Sequence, residues 1–80
     1  MERTPVTSSQ IKSIGHDPEN NLLEVEFNSG GVYQYQNFTS THHEKLMGAE
    51  SKGSHFGKHV KGVHPFRKQN LDGSFGPWRS

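Results

Sequence analysis

Cysteine is absent from this chain, so no disulfide braces it and no thiol can serve as nucleophile, redox centre or metal ligand. Apolar side chains are scarce. Only 28% of the 80 residues are hydrophobic and the mean hydropathy is −0.93, where a globular chain usually has about 45–50% apolar residues with glycine counted. No apolar run approaches the roughly 20 residues that span a bilayer, and the N-terminus has no signal-peptide core. These absences point away from membranes and towards the cytoplasm. Eighty residues allow one domain at most. A core this thin is marginal in so small a domain, which leads us to expect a homo-oligomer that buries further apolar surface.

Charge of one sign is scarce in each half. Residues 1–50 carry three Lys/Arg against seven Asp/Glu, a net of −4, and residues 51–80 carry six against one, a net of +5. The whole chain is nearly neutral at +1. Such asymmetry marks either an anion-binding half or two ends that attract each other across a dimer.

What is present begins with Glu24 to Tyr35, EVEFNSGGVYQY. Leu23, Val25 and Phe27 alternate with Glu24, Glu26 and Asn28, the period of a strand with one apolar and one acidic face. Glu24 and Glu26 then read as an exposed, solubilising pair. Asn28-Ser29-Gly30-Gly31 supplies a turn. Val32, Gln34 and Gln36 alternate with Tyr33 and Tyr35 on the return strand, so the two tyrosines share a face. They either pack as ordinary cross-strand residues or offer stacking faces and hydroxyls to a ligand. Ser9 to Gly15 reads as an earlier strand. Its apolar residues Ile11 and Ile14 are three apart, which breaks strict alternation and implies a bulge or an early end. Asp17-Pro18-Glu19-Asn20 forms the turn between these strands. Residues 1–8 read as an extended arm, entering a sheet at Val6 if at all.

The pattern changes at Thr39. Thr39-Ser40-Thr41 offers several helix N-caps, and Thr41 with Glu44 has capping-box spacing. His43, Leu46 and Met47 form one helical face, with Gly48 a weak point and Gly53 the expected end. Ser51 can cap a second short helix through Val60 that presents Phe56 and Val60 together, stopped by Gly62 and Pro65. Residues 66–80, FRKQNLDGSFGPWRS, show no clean period. They read as a basic, aromatic tail, disordered alone but able to dock through Phe66, Phe75 or Trp78. The expected fold is therefore α+β: a three-stranded antiparallel β-meander, two short helices, and an irregular C-terminal tail, with a domain over 1–65 and the tail over 66–80.

Ser51-Lys52-Gly53-Ser54 is the strongest anion candidate, because hydroxyls, an ammonium and a helix N-terminus coincide there. It lacks the first glycine of a P-loop and follows no strand, which excludes nucleotide hydrolysis of that type. A plain helix junction is the alternative. Arg67 and Lys68, with Lys58 and Lys61, could extend a phosphate-binding surface or form a solvated basic face. Six histidines are many for this length. His55 and His59 fall at i, i+4, but no familiar ligand spacing joins them to His42, His43 or His64, so no metal is expected. No nucleophile elbow or oxyanion motif accompanies Ser51, and no cofactor or catalytic role is expected.

The order of these features resembles the KTSC domain family, found at the C-terminus of some lysyl-tRNA synthetases and as small bacterial and phage proteins. The resemblance lies in Pro5-Val6, Ser8-Ser9, Ile14-Gly15, Asp17 to Asn20, Leu23 to Phe27, and Gly30-Gly31-Val32-Tyr33-Gln34-Tyr35 with its central Tyr-x-Tyr. It continues through Leu46, Ala49, Ser51-Lys52-Gly53 and Phe56. His16 and His64 stand where tyrosine is usual, and Asn37-Phe38-Thr39 replaces a small-residue and proline turn.

The resemblance implies a small non-catalytic α+β binding module, with RNA binding suggested by the synthetase context. By analogy of architecture, a phage-type copy would sequester a cyclic nucleotide or an ADP-ribose-type immune signal as an anti-defence sponge in the host cytoplasm. The expected partner is then a phosphate-bearing nucleotide or RNA. Tyr33 or Tyr35 would stack on a base, Ser51, Lys52, Gly53 and Ser54 would hold phosphate, and Arg67 or Lys68 would close over it. A protein-interaction module, docking by the hairpin edge or the aromatic tail, is the other class of function this sequence allows.

Overall fold

The computed structural model describes residues 1–80. The expected meander is its centre: β2 (Ile11–Asp17), β3 (Leu22–Phe27) and β4 (Val32–Tyr35), paired antiparallel in that order. The Asp17 carboxylate holds the first turn, accepting from the Glu19 and Asn20 amides at 3.1 and 3.4 Å. Gly30, at φ 103°, closes the second, its amide donating to the Phe27 carbonyl at 2.9 Å.

The two ends of the chain extend the sheet on both sides, giving five strands rather than three. β1 (Thr4–Pro5) pairs with β2 through Thr4 and Ile14, just before Val6. β5 (Phe66–Lys68) pairs antiparallel with β4, Phe66 opposite Tyr35 and Lys68 opposite Tyr33. The residues read as an irregular tail therefore begin inside the sheet. The chain then folds back: Gln69 bridges Phe75, and Phe66 and Arg79 exchange backbone hydrogen bonds at 2.8 and 2.7 Å.

Between β4 and β5 lie α1 (Ser40–Met47) and α2 (Lys52–His59). Their caps correct two expectations. Thr39, not Thr41, caps α1, and His42 rather than Glu44 completes the capping box, its Nδ1 accepting from the Thr39 amide at 3.1 Å. Helix α1 ends at Gly48, and Gly53 sits inside α2. Ser51 caps α2 as expected, accepting from the Ser54 amide at 3.3 Å.

The helices cover one face of the sheet. Ile11, Ile14, Leu23, Val25 and Tyr35 pack there against Phe38, Leu46, Phe56 and Val60. Both isoleucines reach this core because the register shifts between Ile11 and Ser13, so one extra residue restores the face.

The opposite face is polar and largely covered. Glu24, expected to be exposed, is 7% exposed. Arg3 Nη1 donates to Glu24 Oε2 at 2.7 Å, and Gln34 Nε2 donates to Glu24 Oε1 at 2.8 Å. Arg67 Nε and Nη2 donate to Gln34 Oε1 at 2.9 and 2.7 Å, and the guanidinium lies over Trp78, 4.4 Å from its centroid. The alternation of β4 thus places Gln34 in this relay while its neighbours Tyr33 and Tyr35 face the helices.

Candidate ligand-binding cleft

Tyr33 and Tyr35 share a face, as their spacing requires, and that face meets α2. Residues Gly53, Phe56, Gly57 and Val60 recur at i, i+3, i+4 and i+7, the period of a single helix face. Phe56 and Val60 are buried on it, and the two glycines leave the rest of the wall low. Between this wall and the sheet lies an open cleft of about 600 Å³.

Five aromatic rings line the cleft: Phe27, Tyr33, Tyr35, Phe56 and Phe66. They hold each other mainly edge to face, the arrangement that aromatic quadrupoles favour. Tyr35 meets Phe56 at 5.1 Å between centroids, Phe27 meets Phe56 at 5.3 Å, and Phe27 meets Tyr33 at 5.5 Å. Phe66 from β5 tilts against both tyrosines at 6.1 and 6.2 Å.

Tyr35 is 5% exposed, yet its hydroxyl makes no hydrogen bond within the chain while no buried polar side-chain atom lacks a partner. The hydroxyl is therefore the part of Tyr35 that reaches the cleft opening. Burial, and secondarily the charge of Tyr33, push its ionisation well above the usual phenol range, so it stays a neutral donor and acceptor. Lys61 lines the rim, and Lys68 Nζ lies 5.8 Å from the Tyr33 ring centroid. The cleft thus combines flat apolar walls, an available hydroxyl and the Lys61 ammonium group, with that of Lys68 outside its lining but near the Tyr33 ring.

The residues singled out from the sequence divide. Tyr33, Tyr35 and Gly53 line the cleft, and Lys68 stands beside it, near the Tyr33 ring. Ser51 and Ser54 are occupied in capping α2, Lys52 Nζ donates back to the Ala49 carbonyl at 3.4 Å, and none of the three lines the cleft. Arg67 is on the far face of the sheet, held by Gln34 and stacked on Trp78. It cannot close over a ligand beside Tyr33 without leaving that site. Phe27, Phe56 and Gly57, not singled out as ligand contacts, complete the cleft together with Lys61, read as part of a basic surface, and Phe66, read as a docking residue of the tail. For Phe27 the signal existed, since it alternates in phase with Leu23 and Val25. For Gly57 it was the i+4 step from Gly53.

The histidines do not converge on an ion: no three side chains of His, Asp or Glu lie close enough to hold a metal. His16 and His64 each reach a backbone carbonyl. His16 Nε2 bonds Phe38 O and His64 Nδ1 bonds Gln36 O, both at 2.8 Å. They pin the segment between β4 and α1. No helix is long and apolar enough to cross a membrane.

Comparison with known proteins places these features in a wider group. The KTSC domain model matches residues 7–64. An uncharacterized protein of Stutzerimonas stutzeri is 41% identical over 72 residues, covering 90% of this chain and all of that one. A lysine–tRNA ligase of Nostoc punctiforme is 38% identical over 60 residues, covering 75% of this chain and only 11% of the ligase. Among solved structures, a KTSC domain protein of Yersinia pestis superposes with a TM-score of 0.84 at 43% identity, over 86% of this chain and 97% of that one.

Proposed function

The chain belongs to the KTSC domain family, and on that premise we propose that it is a non-catalytic module that binds a phosphate-bearing nucleotide in its aromatic cleft. The observation that carries this reading is the grouping of five aromatic rings around one opening of about 600 Å³, a size suited to a small organic ligand. A nucleobase would enter flat against Tyr33 and Phe66. The Tyr35 hydroxyl would bond its edge, and Lys61 and Lys68 would meet its phosphate. Base stacking on an aromatic side chain contributes about 1–3 kcal/mol per base. The cleft brings together no group arranged as nucleophile and base, which supports binding without turnover.

A second reading, a single-stranded RNA as the ligand, draws on the related segment within lysine–tRNA ligases. The experiment that separates the two is a thermal-shift screen of the purified protein at pH 7.5. Its panel holds mononucleotides, cyclic dinucleotides, ADP-ribose derivatives and short RNA oligomers. Specific binding raises the melting temperature by mass action. A shift of several degrees with one small nucleotide, recovered intact after denaturation, supports capture, including its sharper form as a sponge for an immune signal. A shift with RNA alone, falling steeply as salt rises, moves the assignment to a nucleic-acid module. No shift across the panel refutes both, and a protein partner then becomes the reading to pursue.

A further inference from the structure

A second cleft, of about 720 Å³, opens between α1 and α2 on the other side of α2 from the aromatic one. Its ionisable lining comes from every element around it: His42, Glu44 and Lys45 from α1, His55 and His59 from α2, and His64 from the segment that follows. Four of the six histidines in the chain therefore share one opening with a lysine, against a single carboxylate. The imidazoles are close in pairs. His55 and His59 have centroids 4.6 Å apart, and His42 and His64 5.1 Å apart.

We propose that this cleft is a second ligand site, gated by protons, which takes a multiply charged oxyanion of the polyphosphate class when its imidazoles are charged.

Hydrogen bonding assigns the roles. His64 Nδ1 bonds the Gln36 carbonyl at 2.8 Å and so carries a proton, which leaves Nε2 as the nitrogen that gains one. His42 Nδ1 accepts from the Thr39 amide at 3.1 Å, so its Nε2 is already a neutral N–H donor. Protonating His42 would break the helix cap, so the added charge falls on His55, His59 and His64. With those three neutral, Lys45 and Glu44 nearly cancel and the cleft has little net field. With them protonated, three cations and Lys45 oppose one carboxylate. Burial and the neighbouring charges of His59 and Lys45 hold His55 below the usual imidazole range, so the cleft resists charging until an anion offsets the repulsion. Binding and protonation are then coupled, and each must strengthen the other equally.

The test is isothermal titration with inorganic tripolyphosphate across pH 7.5 to 5.5 at constant ionic strength, down to the lowest pH at which Trp78 emission stays native. Affinity should tighten by about tenfold or more, within the usual range of coupling between two sites. The probe itself loses negative charge as pH falls, so tightening cannot originate in the probe. His55→Gln with His59→Gln should remove most of the pH-dependent part, leaving only the share of His64. In the unsubstituted protein, tripolyphosphate should move the imidazole Cε1–H titration curves of His55 and His59 to higher pH by NMR. Gly57→Leu, which fills the aromatic cleft, should leave all of this intact, separating this site from the nucleotide reading. Affinity that is absent or equal at all pH values, an undiminished pH effect in the double variant, or unmoved imidazole titrations would each overturn the proposal.

Discussion

Arg67 and Gln34 are locked together on the face of the sheet away from the helices. The guanidinium donates twice to one amide oxygen, at 2.9 and 2.7 Å, and Gln34 passes the contact on to the buried Glu24. Glu24 in turn holds Arg3 of the N-terminal arm at 2.7 Å. One relay thus ties both ends of the chain to the middle of the sheet, in a protein whose apolar core is small.

Arg67→Ala should therefore destabilise the fold rather than weaken a ligand site. It leaves the buried Gln34 oxygen unsatisfied and frees Phe75 and Trp78 from their stacking partner. A loss of about 1–3 kcal/mol is expected in urea unfolding, with Trp78 emission shifted to the red in the native state. Arg67→Lys should recover only part of this, because an ammonium cannot supply the paired fork. Ligand-induced thermal shifts, measured from the lower baseline, should persist.

Gly57→Leu should do the reverse. A Cβ at Gly57 meets no atom within 4 Å, and the position lies in a helix where glycine is disfavoured by about 1 kcal/mol relative to alanine. The variant should be as stable as the parent or slightly more so in thermal melts. Its side chain would project into the aromatic cleft and abolish the shift produced by the nucleotide. Retention of that shift would remove the base from the cleft.

How much of this could be read beforehand varies with the period available to read. Leu23, Val25 and Phe27 alternate over a full strand, and Asp17 and Gly30 supply turns with a local mechanism, so the meander was legible. Strands β1 and β5 have two and three residues, too few for a period, and exist because an edge was there to pair with. That is why Arg67 was misjudged. Neighbours on a strand point to opposite faces, so Lys68 reaches Tyr33 while Arg67 turns away, and this is visible only once β5 is known. The tyrosine pair was found by alternation within one strand. Phe56 and Phe66 joined the cleft through long-range pairing, which no local pattern records.

The cap of α1 offers a separate check, since Thr39 and Thr41 compete on sequence and only Thr39 holds the first turn. Thr39→Ala should cost about 1 kcal/mol, the usual penalty for losing an N-cap. Thr41→Ala, inside the exposed first turn, should be neutral within about 0.5 kcal/mol. Chemical denaturation of the two variants side by side decides the assignment, and equal effects would contradict the Thr39 cap.

Stability should also fall on mild acidification, and the sign follows from the histidines. Burial, then the neighbouring His16, holds His43 below its usual range, and burial with His59 and Lys45 does the same to His55. The folded chain therefore binds fewer protons than the unfolded chain between the lowered values and the unfolded value near 6.5. The stabilisation is fully present above about pH 6.5 and is lost as pH falls through the folded values. Asp17 and Asp72, lowered mainly by hydrogen bonds from Asn20 and Ser74, act in the same direction but only near and below their ordinary value of 3.8. The two windows are separable. Melting temperature should decline from pH 7 to 5 and then again below about pH 4. His43→Gln combined with His55→Gln should flatten the first decline and leave the second. A first decline that survives the double substitution would assign it to groups other than His43 and His55.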